Sequence, residues 1–403
     1  EGAYRDGALR LQQALAEYDR AGGEFDAARI SALSRLGQLR DHAEDSSSAL
    51  ILHTEADTAA RRLLAPDDPL RLEVRELYGD ALAGAGQSDA ARAVLRENLA
   101  ALRARYGDRD LAVVSALESL ALRENEAGAP QAALALLLEA RGIAASILEG
   151  PHVIAGYVEN SLGFVALHAA DPAQASQAFE RALVIFTALL HPPHRLLEAT
   201  HANRGEAAFE RGDFAAAVAA FEAAQAQREA LDPQSQRGAF APSCLAGEAY
   251  TRGGDATRAL ALLEPCVGAL QRRTGAATAQ LATALALRAE AEWRAGRSDA
   301  AQASALQALA SKPADTAHAA LVPLRVLAEI GLARRDTASV REWLDAALAI
   351  APALPRPRPC DSAWQLSRLA EIAAQLGDGA RATALRNAAG SCNPAAPLPQ
   401  PPQ

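Results

Sequence analysis

Apolar and small residues recur along this chain with two superposed periods, and the shorter one is helical. In the stretch 157–186, YVENSLGFVALHAADPAQASQAFERALVIF, Leu162, Gly163 and Ala166 share one face of a first segment. Ala175, Phe179 and Ala182 then fall at i, i+4 and i+7 on a second. Asp171-Pro172 between them offers an N-cap and a first-turn proline. The stretch predicts two amphipathic helices joined by a tight turn. Gly163 and Ala175 carry almost no side chain, so the helix axes are expected to approach closely there, with Phe179 filling the space beside the crossing.

The longer period repeats this hairpin. The small column of the first helix runs Gly37, Gly79, Ala121, Gly163, Gly205, Gly247, Ala289, Ala328, Ala370, in steps of 42 residues with one step of 39. Twelve residues later comes Ala49, Ala91, Ala133, Ala175, Ala217, Ala259, Ala301, Val340, Ala382, eight alanines in nine positions. A large apolar column (Leu95, Leu137, Phe179, Phe221, Leu263, Leu344) and a further small one (Ala56, Ala140, Ala182, Ala224, Cys266, Ala308, Ala347, Ala389) follow. A fixed period of this length predicts an α-solenoid, each hairpin burying its face on its neighbours.

The pattern of a small residue in the first helix, then alanine, a large apolar residue and alanine in the second, resembles the tetratricopeptide repeat (TPR) over residues 1–392. The 42-residue period is similar to the kinesin-light-chain type of TPR. The G-P-D-H-P-like turn of that type survives in degraded form as Ala65-Pro66-Asp67-Asp68-Pro69, Tyr106-Gly107-Asp108 and Gly150-Pro151-His152, and Asn160 and Asn203 match its asparagine pair. The resemblance implies an all-α, right-handed superhelical solenoid of about nine hairpins that binds protein or peptide.

Units are expected at 27–64, 70–105, 111–148, 154–189, 196–230, 238–272, 278–311, 317–350 and 361–390, after an unpaired N-terminal helix at 1–20. Gly86, Gly128, Gly212, Gly254, Gly296 and Gly377 suit left-handed C-caps within the hairpins, with Asp171, Asp213, Asp255, Asp336 and Asp378 as the N-caps that follow. In the first unit a serine of Ser46-Ser47-Ser48 is expected to cap instead. The proline-rich run APALPRPRP at 351–359 is expected to set the last hairpin slightly apart, and the tail at 393–403 to be extended or disordered. Beginning at glutamate and lacking methionine, the sequence is expected to be a fragment or a processed product.

Composition narrows the function. The net charge is −9, the basic residues are arginines apart from Lys312, and no basic run or aromatic platform stands out. This argues against nucleic acid or an anionic membrane surface as partner. No apolar run approaches the length of a membrane span, and no signal-peptide pattern opens the sequence. No phosphate-binding glycine loop, H-E-x-x-H or C-x-x-C occurs, so no catalytic residue, cofactor or metal is assigned. His191, His194 and His201, with His152, come nearest to a metal cluster and read as ordinary turn histidines.

Four cysteines fall in two hairpin-matched pairs, Cys244 with Cys266 and Cys360 with Cys392. If Gly163 faces Ala175, Cys360 and Cys392 share the corresponding midpoint of their own unit, whereas Cys244 and Cys266 are displaced by about one turn. Disulfides in both would indicate an oxidising, extracytoplasmic compartment; a buried Cys266 thiol in an alanine column is the alternative, and a cytoplasmic location goes with it.

The exposed face of the first helices is the expected ligand groove. One column there is acidic in Glu206, Glu248, Glu290, Glu329 and Glu371, with Asp80 as an earlier counterpart, and Arg252 and Arg294 follow two of these at i+4. Tyr157, Asn160, Phe164 and His168 point the same way, as do Asn203, Phe209, Trp293 and Arg325. The groove is expected to favour basic groups, and a homo-oligomer is compatible with it. Such arrays resemble the C-terminal part of bacterial serine/threonine protein kinases, which implies a regulatory or sensor domain; transcription regulators and stand-alone adaptors or secretion assembly factors carry them too.

Overall fold

The computed structural model describes residues 2–20, 26–42, 45–231, 242–272, 278–311, 317–354 and 360–390, which form nineteen α-helices and no strand. The chain divides into two compact units, Glu1–Leu189 and Leu190–Gln403.

Unit 1 opens with α1 (Gly2–Arg20) and continues as four hairpins: α2 (Ala27–His42) with α3 (Ser46–Leu63), α4 (Pro69–Gly84) with α5 (Ser88–Tyr106), α6 (Leu111–Glu126) with α7 (Pro130–Ile147), and α8 (Val153–His168) with α9 (Pro172–Leu189). Unit 2 holds five: α10 (Arg195–Glu210) with α11 (Phe214–Leu231), α12 (Pro242–Arg252) with α13 (Ala256–Gln271), α14 (Thr278–Arg294) with α15 (Ser298–Ala310), α16 (Ala317–Ala333) with α17 (Thr337–Ile350), and α18 (Cys360–Gln375) with α19 (Gly379–Ala389). Within each unit every second helix also packs on the next first helix, and successive first helices lie side by side along α2, α4, α6 and α8 in unit 1 and along α12, α14, α16 and α18 in unit 2. Each unit is thus an all-α solenoid.

The turn chemistry follows the repeat. Gly86, Gly128, Gly212, Gly254, Gly296 and Gly377 all have φ between +72° and +92°. Asp171, Asp213, Asp255, Asp336 and Asp378 each accept the backbone N–H three residues on, capping the second helix. In the first hairpin the cap is Asp45, which accepts from Ser48 N at 3.2 Å, and not one of the serines, because a charged oxygen is the stronger acceptor for an orphan N–H. Ala351 and Leu354 are buried in one cluster with Leu366 and Leu369 of α18, so the last hairpin packs on its predecessor and is not set apart at this end of the proline-rich run. Residues 355–359 and the tail lie outside the described residues.

In five of the nine hairpins a glycine of the first helix seats a large side chain of the second. A methyl built on Gly163 would stand 2.5 Å from the ring of Phe179, and on Gly205 equally close to Phe221. Gly79 and Gly247 are covered in the same way by Leu95 and Leu263, at 2.7 Å. The covering residue is always sixteen positions on, so a hairpin is centred on its capping aspartate: Gly163 and Phe179 are each eight residues from Asp171. This corrects the expected pairing of Gly163 with Ala175 and the placement of Phe179 beside the crossing. The ring lies over the glycine itself, while Ala175 and Ala217 are fully buried.

Gly163→Ala is therefore expected to destabilise the chain by about 1–3 kcal/mol through overpacking, despite alanine's better helix propensity. Phe179→Leu leaves a void. The double variant should recover most of the loss, because α6 and α7 use the same combination natively in Ala121 and Leu137, both fully buried. Urea melts of the four proteins test this; purely additive losses would contradict the seat.

His53 takes the covering position in the first hairpin. Its ring lies over Gly37 and is 1% exposed, neither ring nitrogen has a hydrogen bond, and Nε2 stands 3.6 Å from Asp41 Oδ2. Burial pushes its pKa from 6.5 down to about 4. The unfolded chain then binds the extra proton between these values, so the contribution of neutral His53 is complete above pH 6.5 and drains away as pH falls through 4. The loss is at most roughly 3 kcal/mol. His53→Leu should flatten the difference in stability between pH 7 and pH 4 by a measurable part of that amount; an unchanged pH slope would show that the histidine is not held neutral.

Candidate functional face

The glycine seat uses one side of each first helix, and the neighbouring side forms a layer of its own. Positions one repeat apart lie side by side in this layer, and positions four apart lie one turn along the same helix. Two columns define it in unit 1. One is Glu76, Glu118 and Asn160 on α4, α6 and α8; the other is Asp80, Leu122 and Phe164 on the same helices.

Cross-helix hydrogen bonds tie the layer together with a spacing of 43 residues. Ser119 Oγ donates to Glu76 at 3.1 Å, Ser161 Oγ donates to Glu118 at 2.6 Å, and the Asn125 amide meets His168 Nδ1 at 2.6 Å. Burial, with the neighbouring Asp80, Glu118 and Glu73 carboxylates, pushes Glu76 up to about 7. Burial raises Asp80 and Glu118 as well; Arg123, itself paired with Glu126 at 3.3 Å, draws both back. Tyr157 and Phe164 remain 38% exposed on α8, Phe164 edge-on to the His168 ring at 4.4 Å. Unit 1 therefore presents carboxylates on α4 and α6 beside open aromatic rings on α8.

In unit 2 the same columns are filled from within, which corrects the expectation of an open groove there. Glu290 is fully buried, and Arg252, Arg325 and Glu329 are 3%, 2% and 8% exposed. Glu290 lies 2.9 Å from Arg294, 3.0 Å from Arg325 and 3.8 Å from Arg252. Arg325 also meets Glu329 at 2.9 Å and donates to Gln365 at 2.6 Å, Glu248 pairs with Arg252 at 3.6 Å, and Arg368 reaches Glu329 at 3.6 Å. Burial alone would raise the Glu290 carboxyl, but three guanidiniums hold it well below the usual range. The Trp364 ring of α18 lies 5.1 Å from the Arg252 guanidinium and 5.0 Å from that of Arg325, and Phe209 approaches Arg252 at 5.7 Å. Trp293 is partly buried in the core cluster around Ala289 and Val326. Only Glu206 and Glu371 of the acidic column stay exposed, while Asn203 is half-buried.

Sequence reasoning passed over Glu76, Glu118 and Trp364. The first two stand two repeats and one repeat before Asn160, and Trp364 is the repeat equivalent of Tyr157, so the 42-residue step would have found them. The histidines have a plain role: His152 Nδ1 accepts from Ile154 N at 3.2 Å and His194 Nδ1 from Leu196 N at 3.1 Å, each capping a helix. Among the described residues no group of three or more His, Cys, Asp or Glu is placed to hold a metal, and no helix is long and apolar enough to cross a membrane.

Cys244 and Cys266 form a disulfide with Cα atoms 5.9 Å apart. Each is eleven residues from Asp255, so the pair is in register about the hairpin centre that the glycine seats define. The Gly163–Ala175 pairing had set it one turn out. Cys392 lies outside the described residues, as does the side chain of Cys360.

No protein-family model matches this sequence, and no curated protein matches it. Solved structures do. A Rap protein complexed with Competence and Sporulation Factor is 13% identical, with a TM-score of 0.55, 90% of this chain and 96% of that chain being covered. The apo form of RapI is 13% identical, with a TM-score of 0.50 and coverage of 70% and 97%. A signal transduction ATPase with numerous domains (STAND) from Pyrococcus horikoshii, which has a tetratricopeptide repeat sensor, is 14% identical, with a TM-score of 0.57 and coverage of 74% and 44%. At these identities the likeness is one of fold, and with the repeat columns it makes this chain an array of tetratricopeptide-repeat hairpins.

Proposed function

We propose that this chain is a non-catalytic scaffold that binds protein or peptide on the first-helix face of unit 1, and that it serves as the sensor or regulatory part of a larger signalling protein. The observation that carries the reading is the contrast between the two units. Unit 2 encloses Glu290 and Glu329 with its own arginines, whereas unit 1 leaves Tyr157 and Phe164 open beside the half-buried Glu76, Asp80 and Glu118. Exposed rings next to part-buried polar groups are the makings of a docking surface. The neighbours support the class of function: the Rap protein was solved with Competence and Sporulation Factor bound, and the Pyrococcus horikoshii protein carries its repeats as a sensor.

A sensor attached to a serine/threonine kinase is the finer form of this reading, on the resemblance of the 42-residue repeat array to such kinases. The Cys244–Cys266 disulfide favours an extracytoplasmic setting for it. A stand-alone adaptor or assembly factor would use the same face.

Panning a random dodecapeptide library on the full chain tests the docking face. Binders are expected that the wild type retains and that Tyr157→Ser plus Phe164→Ser releases, with an unchanged circular dichroism spectrum and melting temperature. Binders indifferent to both substitutions, or none at all, would overturn the assignment of the face.

A further inference from the structure

The two units differ sharply in charge. Residues 1–189 carry 28 acidic and 18 basic side chains, a net −10, while residues 190–403 carry 21 acidic and 22 basic, a net +1. The whole excess of negative charge therefore belongs to unit 1.

Unit 2 shows what its repeat positions accept. Arg325 stands in the column of Glu76, Glu118 and Asn160, and its guanidinium lies between the carboxylates of Glu290 and Glu329 and the ring of Trp364. Trp364 in turn is the repeat equivalent of Tyr157. Unit 1 has the carboxylates and the rings of this arrangement, with glutamate and asparagine where the arginine would be. Its groups ask for a donor. Glu76, Asp80 and Glu118 offer acceptor oxygens, and Asn125, 7% exposed, is on the same helix face two turns beyond Glu118. The Asn125 Oδ1 has no hydrogen-bond partner. A buried acceptor left unmatched costs free energy that an incoming N–H would recover. A guanidinium supplies five such donors, a charge complementary to the face, and a flat surface that stacks on aromatic rings.

We propose that the partner of unit 1 is a peptide segment bearing arginine, whose guanidinium binds among Glu76, Asp80 and Glu118 while its apolar neighbours rest on Tyr157 and Phe164. This rests on the docking reading above and specifies the chemistry of the guest. Arg123 is a cation already on this face: its side chain is 17% exposed, it pairs with Glu126 at 3.3 Å, and its charge partly offsets those of Asp80 and Glu118.

The test uses the dodecapeptides that the wild-type full chain retains. They are expected to be enriched in arginine. Replacing that arginine by citrulline, which keeps the shape and removes the charge, should weaken binding by at least roughly tenfold in fluorescence anisotropy. Glu76→Gln plus Glu118→Gln should weaken the arginine peptide by a similar factor and leave the citrulline peptide unchanged, which a merely unfolded variant would not do. Peptides that depend on Tyr157 and Phe164 but carry no arginine, or that bind equally well as citrulline forms, would overturn this proposal and leave the docking face standing. Retained peptides indifferent to Tyr157 and Phe164 would overturn both.

Discussion

A missing Cβ, covered by a large side chain sixteen residues later, is the contact from which the remaining structure follows. It brings the two helices of a hairpin to a fixed separation and centres them on the aspartate that caps the second. Alanine takes the place of the glycine at Ala121, where the residue sixteen positions on is Leu137, and both are fully buried. Because each first helix spends one face on this seat and its flanks on neighbouring first helices, one further face is left over in every repeat.

The left-over face meets two different fates. In unit 2 it becomes a polar core of alternating guanidiniums, carboxylates and rings, with Glu290 touched by three arginines. Such a network is stable only when complete, since a buried charge deprived of its partner is far costlier than a pair replaced together. It therefore fixes α12, α14, α16 and α18 against one another and leaves little to offer a ligand. In unit 1 the equivalent positions hold carboxylates that share serine hydroxyls, with burial raising Glu76, Asp80 and Glu118 alike. Charge that is crowded and incompletely matched is the condition in which a binding partner gains most from electrostatic complementarity.

The sequence carried the architecture because packing at the seat restricts residue size at fixed intervals, and glycine, alanine and aspartate mark those intervals directly. Exposure was harder to read. Glu290 and Glu206 look identical in the repeat, yet one is fully buried and the other exposed, because the difference lies in Arg294 on the same helix and Arg325 and Arg252 on neighbouring ones. The same limit acted on the cysteines. Alanine at 175 marked the hairpin well enough to find it but not its centre, and a four-residue error in the facing pair was enough to misjudge Cys244 and Cys266. His53 was passed over although the 42-residue step places it in the column of Leu95, and its neutral state follows from burial.

The contrast between a half-buried acidic face beside open rings and carboxylates enclosed by arginines is the centre of this account. Carbodiimide-driven labelling of carboxyl groups in the native chain, read residue by residue by mass spectrometry, measures it directly. Asp80 and Glu118 should be modified well before Glu290 and Glu329, which their arginines enclose. Glu290 labelled as fast as Asp80 would contradict the account.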